Sequence, residues 1–137
     1  MSVPEPLRHK GRMEVHVKAQ ALAAYTAKIL SNENVFDPKL DAELIVRIRN
    51  CAYDIYAKAW SANKIRAETN MINWITRYNL EEEAILLCDE MLAYVGISKL
   101  VYHLRSKRMK YWSGLITEVR NLLQKWKESD VSRYGQP

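Results

Sequence analysis

The residues of this chain best equipped for chemistry are cations, and they crowd into one stretch. Between Arg105 and Lys127 (RSKRMKYWSGLITEVRNLLQKWK) stand Arg105, Lys107, Arg108, Lys110, Arg120, Lys125 and Lys127, against a single acid, Glu118. These seven bases and one acid give a local balance of +6, while the whole chain carries +5. Fixed cations at this density recognise anions: the phosphates of a nucleic acid, a membrane surface or an acidic protein. Arg8, Lys10 and Arg12 form a smaller basic group near the N-terminus.

Residue patterns for catalysis are absent from the sequence. His9, His16 and His103 are scattered, and neither HExxH nor Glu-x-x-His occurs, which argues against a ferritin-like metal bundle. Small helical RNases of the HEPN kind place four to six residues between an Arg and a following His; Arg12 and His16 have three between them, and no pair with the required spacing stands here. No glycine-rich phosphate loop is present. The run Glu81-Glu82-Glu83 reads as a solvated first turn. Cys51 and Cys88 each fall in an apolar helical pattern and read as reduced core residues. The expectation is a protein without enzymatic activity, metal or cofactor.

The elements that must position the cations are helical. A chain of 137 residues suits one domain spanning 1–137. Its four glycines and four prolines leave little material for turns. No apolar run approaches the roughly 18 residues of a membrane span. MSVPEPLRHKGR lacks the hydrophobic segment of a signal peptide, so a cytoplasmic location is expected, with no membrane partner. Residues 1–12 read as an irregular basic arm and 130–137 as a loose tail.

Helical periodicity begins near Met13, with Val15, Ala19, Leu22, Thr26 and Ile29 on one face as far as Leu30. After a loop over 31–38, Asp37 is placed to cap a second helix and Pro38 to occupy its first position. That helix runs to about Ile65, its core face being Leu44, Ile45, Ile48, Cys51, Ala52, Ile55, Ala59 and Ala62. A second stripe, Val46, Arg49, Tyr53, Tyr56 and Trp60, recurs at three- and four-residue steps on another side. These side chains either sit half-exposed with their polar ends in water or form an interface between subunits, and two apolar stripes on one helix favour the interface. Residues 66–79 allow two readings: a separate short helix, or one long third helix beginning near Asn70 and ending near Leu104. Ala84, Leu87, Cys88, Met91, Val95 and Tyr102 mark the core face of that helix.

Ser106 is placed to cap the fourth helix, which is expected to end near Glu128. Its seam is Trp112, Ile116, Val119, Leu123 and Trp126, spaced four, three, four and three. On a helical wheel Lys107, Lys110 and Lys125 fall opposite the seam, Arg120 and Lys127 on its flank, and Arg108 on the seam side. Cations near the helix C-terminus suit the dipole, but those from Arg105 to Lys110 crowd the unfavourable end and call for another reason. Four amphipathic helices and short loops make an all-α, antiparallel four-helix bundle the expected fold.

This layout resembles the accessory variability determinant (Avd) family of diversity-generating retroelements. The likeness is carried by GRMEVHVKAQALAAYT, DIYAKAWSANKI, EEEAILLCDEML and SKRMKYWSGLITEVRNLLQKWKESDVSRYG, with Tyr111-Trp112, Trp126 and Ser129-Asp130 its more specific points. The family is related to the four-helix-bundle proteins of 23S rRNA intervening sequences. The resemblance implies a homopentameric barrel without catalytic activity. It also implies a partner reverse transcriptase and its template RNA, with cDNA or DNA as further ligands, in mutagenic cDNA synthesis. No catalytic motif is carried over. The residues expected to meet nucleic acid are Arg105, Lys107, Arg108, Lys110, Arg120, Lys125, Arg8, Lys10 and Arg12. Val46, Arg49, Tyr53, Tyr56 and Trp60 are expected at the subunit interface. Two alternatives share the scaffold: an intervening-sequence protein with no reverse transcriptase partner, and a basic self-assembling protein adaptor.

Overall fold

A computed structural model describes residues 5–137, with side chains from Glu14 onward. Four helices account for nearly all of it: α1 (Glu5–Leu30), α2 (Pro38–Lys64), α3 (Met71–Tyr102) and α4 (Ser106–Tyr134). Cross-helix pairs set their directions. Gln20 meets Tyr56, Lys58 meets Glu83, Arg120 meets Asp89 and Lys18 meets Glu118. A second pair in each of three contacts, Arg47 with Tyr94, Lys127 with Glu82 and Tyr25 with Tyr111, shows neighbours running antiparallel. The result is an up-down-up-down four-helix bundle with α3 diagonal to α1.

The core follows the expected faces. Every position named for α2 is buried, as are the five seam residues of α4. Trp112 packs edge-on against Phe36 and donates from Nε1 to Thr26 Oγ1 at 3.1 Å, which satisfies a buried polar pair near one end of the bundle.

Helix ends are set by local chemistry. Asp37 accepts from the Lys39 amide as the first cap of α2, with Pro38 following. The helix then restarts. Asp41 takes an extended backbone (φ −163°, ψ 81°), its Oδ1 accepts from the Leu44 amide, and its freed carbonyl accepts from Tyr102 Oη at 2.9 Å. Asn70 caps α3 through the Asn73 amide, so residues 71–80 belong to one long helix, and Asn79 lies inside it rather than at a start. At its end His103 adopts the left-handed conformation (φ 53°) and the Leu104 amide reaches Lys99 O, a tight C-cap that turns the chain within three residues into α4. Arg105, not Ser106, occupies the N-cap of α4.

Three further expectations need correction. The irregular arm drawn over 1–12 gives way to helix from Glu5. The loose tail is helical through Tyr134, because Asp130 is buried against Arg77, which donates from Nε and Nη2 at 2.8 and 2.9 Å. Trp74 Nε1 also donates to Gly135 O at 3.0 Å. Glu81, read as solvated, is fully buried beside the same ion pair. Burial, then the neighbouring Asp130 carboxylate, push Glu81 far above the carboxylate range, opposed by Arg77 and Lys127.

Candidate nucleic-acid interface

The basic helix divides into two halves with different surroundings. In the C-terminal half, cations on the flank of α4 are occupied by acids of α3. Arg120 Nε lies 2.6 Å from Asp89, and Lys127 is paired with Glu82 and sits 5.8 Å from the Tyr78 ring centre. Lys125 is exposed. The Arg120 guanidinium is therefore already engaged, and reaching a phosphate would require it to leave Asp89.

In the N-terminal half the cations have no ion-pair partner among the described residues. Arg105, Lys107 and Lys110 are exposed, Arg108 is partly buried, and none forms an ion pair with a described residue. The first turn of α4 contains no acid, and its N-cap side chain makes no capping bond. Positive side chains thus coincide with the positive end of the helix dipole, an arrangement that favours an anion there.

Packing at this end of the bundle shapes the cations into a cleft of about 730 Å³. Arg105, Lys107, Arg108 and Tyr111 line one side, Tyr102, His103 and Leu104 close the end, and Tyr25 with Asn34 and Val35 forms the other side. The walls are held from below by an aromatic layer. Phe36 is fully buried, with its ring 5.0 Å from Tyr102 and 5.8 Å from Trp112. It is held by its amide donating to Asn32 O at 2.8 Å, while Asn32 Oδ1 accepts from the Asn34 amide in an Asx turn. Tyr25 and Tyr111 pack edge-to-face at 5.1 Å. Burial raises the Tyr25 phenol above its ordinary range, and the nearby Arg108 charge partly opposes this.

Lys110 and Lys125 lie along a second, shallower groove on the outer face of α4, with Ser113, Gly114, Thr117 and Asn121 between them. Glu14 and Glu118 border this groove, so it is less basic than the cleft. Arg8, Lys10 and Arg12 lie outside the described side chains. Of the cations named from sequence, the structure gathers Arg105, Lys107 and Arg108 in one cleft, places Lys110 in the second groove with Lys125, and sets Arg120 apart against Asp89.

The stripe on α2 faces outward. Val46, Tyr53 and Trp60 are exposed, Trp60 by 48%, while Arg49 and Tyr56 are half-buried. Lys64 covers the Trp60 ring at 4.8 Å, and Val17, Ala21 and Ala24 continue the face onto α1. A further outward stripe on α3, Leu86, Ala93, Ile97 and Leu100, was not named from sequence; Leu100 is 76% exposed. Its spacing of seven, four and three was the available signal.

Other reactive groups are enclosed. Burial pushes the Cys51 thiol to about 11 and the Cys88 thiol to about 12, so both stay protonated at neutral pH. No group of three or more His, Cys, Asp or Glu suited to a metal ion occurs among the described residues. No described helix is long and apolar enough to cross a membrane. Comparison with protein-family models, curated proteins and solved structures gave no match.

Proposed function

We propose that this chain is a non-catalytic nucleic-acid-binding accessory protein of the Avd type, acting in the cytoplasm with a reverse transcriptase and its template RNA. The observation that carries the reading is the cluster Arg105, Lys107, Arg108 and Lys110, four cations at one helix N-terminus with no acid partner among the described residues. Such a cluster carries an electrostatic cost in the free protein that a polyphosphate would remove. The bundle supplies rigidity, and the cleft supplies shape.

Self-association belongs to the same reading. The α1/α2 face and the α3 stripe are apolar, outward and differently directed. Two unlike faces pair head-to-tail, and such contacts form a ring when the rotation between copies closes. A homopentamer is the ring the Avd resemblance implies.

The test is a three-component binding assay with the purified chain, a diversity-generating retroelement reverse transcriptase and its template RNA. The wild type is expected to form a ternary complex, and Lys107→Ala/Lys110→Ala to lose RNA from it. A variant that retains RNA as well as the wild type overturns the reading.

A further inference from the structure

The cleft at the α3–α4 turn has features that phosphate binding alone does not require. A flat or convex basic surface is enough to meet the phosphates of a duplex, whose bases are stacked and hidden in its interior. Here the cations stand on the rim of a concavity whose volume, about 730 Å³, falls in the range of about 300–1,000 Å³ usual for small-ligand sites. The most exposed tyrosine in its lining is Tyr111, 57% exposed despite lying one residue before the buried Trp112. The Tyr111 ring does not swing freely, because Tyr25 packs against it at 5.1 Å with an interplanar angle of 66°. One ring is thus oriented by the other while much of its surface remains open to the cleft.

An oriented, solvent-facing aromatic beside cations is the arrangement that holds an unpaired base. The ring stacks on the base, and the cations take the flanking phosphates. Arg108, close enough to act on the Tyr25 phenol, also supplies a planar guanidinium at the cleft wall. We infer that the cleft binds one unpaired nucleotide, its base on Tyr111 and its phosphates against Arg105 and Lys107, so that this end of the bundle selects single-stranded nucleic acid over duplex. The inference rests on the nucleic-acid reading above and adds strand selectivity to it.

The test is fluorescence anisotropy with the full chain, using a labelled 12-nucleotide single strand, as RNA and as DNA, and the same sequence annealed to its complement at the same salt. The single strand is expected to bind more tightly. Tyr111→Ala and Tyr111→Leu are each expected to weaken single-strand binding by roughly 5- to 150-fold, the loss of one stacked base, and to leave duplex binding within about two-fold. Tyr111→Phe should retain single-strand affinity, and Tyr111 is exposed enough that thermal melts of all three variants should match the wild type. Equal losses on single strand and duplex, or no loss on either, overturn the inference. If Tyr111→Ala changes nothing while Lys107→Ala/Lys110→Ala weakens both ligands, the nucleic-acid reading stands and the cleft inference falls. If the wild type binds neither ligand at low salt, both fall.

Discussion

At the scale of single residues, the decisive group is Arg77. Its guanidinium holds Asp130 with two bonds and Ile65 O with a third at 3.1 Å, and its Cζ lies 5.3 Å from the Trp126 ring centre. One side chain therefore ties α3, the α2–α3 loop and the end of α4. Removing one partner of a buried pair leaves the other charge uncompensated, so Asp130→Ala should cost about 3–5 kcal/mol in urea denaturation. Glu81 behaves in the opposite sense. Its folded-state pKa is raised, so the folded state keeps a proton that the unfolded chain has lost above the ordinary carboxylate range. Its contribution is fully present at acid pH and declines as pH rises from there. Glu81→Gln should therefore stabilise the protein at pH 7.5, by about 1–3 kcal/mol, with a much smaller effect at pH 4. Equal effects at both pH values would contradict the assignment. None of this was legible in the sequence. Arg77 and Asp130 are 53 positions apart, and no periodicity encodes a buried ion pair. Glu81 looked solvated because it stands in an acidic run.

At the scale of elements, α4 combines a buried seam with most of the clustered positive charge. Its seam was legible because apolar spacing of four and three reports directly on burial, and the same holds for the core face of α2. The position of its cations on the wheel was legible too. Their occupancy was not, because it depends on what α3 presents: Asp89 and Glu82 neutralise the flank, and nothing among the described residues neutralises the first turn. The two halves should respond differently to substitution. Lys107→Ala and Lys110→Ala should each lower the salt dependence of RNA binding by up to about one unit of slope. Arg120→Ala should change it little and alter stability by no more than about 1 kcal/mol, as for other exposed pairs. A loss of RNA affinity in Arg120→Ala matching that in Lys107→Ala would show that Arg120 leaves Asp89 for phosphate. The long α3 shows the limit of pattern reading at this scale. Its core positions Ala84, Cys88, Met91, Val95 and Tyr102 were found, but Leu87 is only partly buried, the buried Ile85 was missed, and the outer stripe of Leu86, Ile97 and Leu100 went unnamed beside the stronger core pattern.

At the scale of the whole molecule, a four-helix bundle places its basic cleft at one end and two apolar faces on its sides. The outward aromatics of α2 make oligomerisation testable. Tyr53→Glu/Trp60→Glu should convert a stable assembly to monomer in light scattering while leaving helix content intact, since both side chains are exposed in the single bundle. A wild-type chain that is monomeric at all concentrations would remove the ring from the account. The central claim concerns the charge. It is tested most directly by titrating RNA binding against salt for the wild type and for Arg105→Ala/Lys107→Ala/Lys110→Ala. Affinity should fall steeply with salt in the wild type, with a slope shallower by about two units in the variant, as expected for three lost contacts to single-stranded phosphate. Identical slopes and affinities in the two proteins would contradict it.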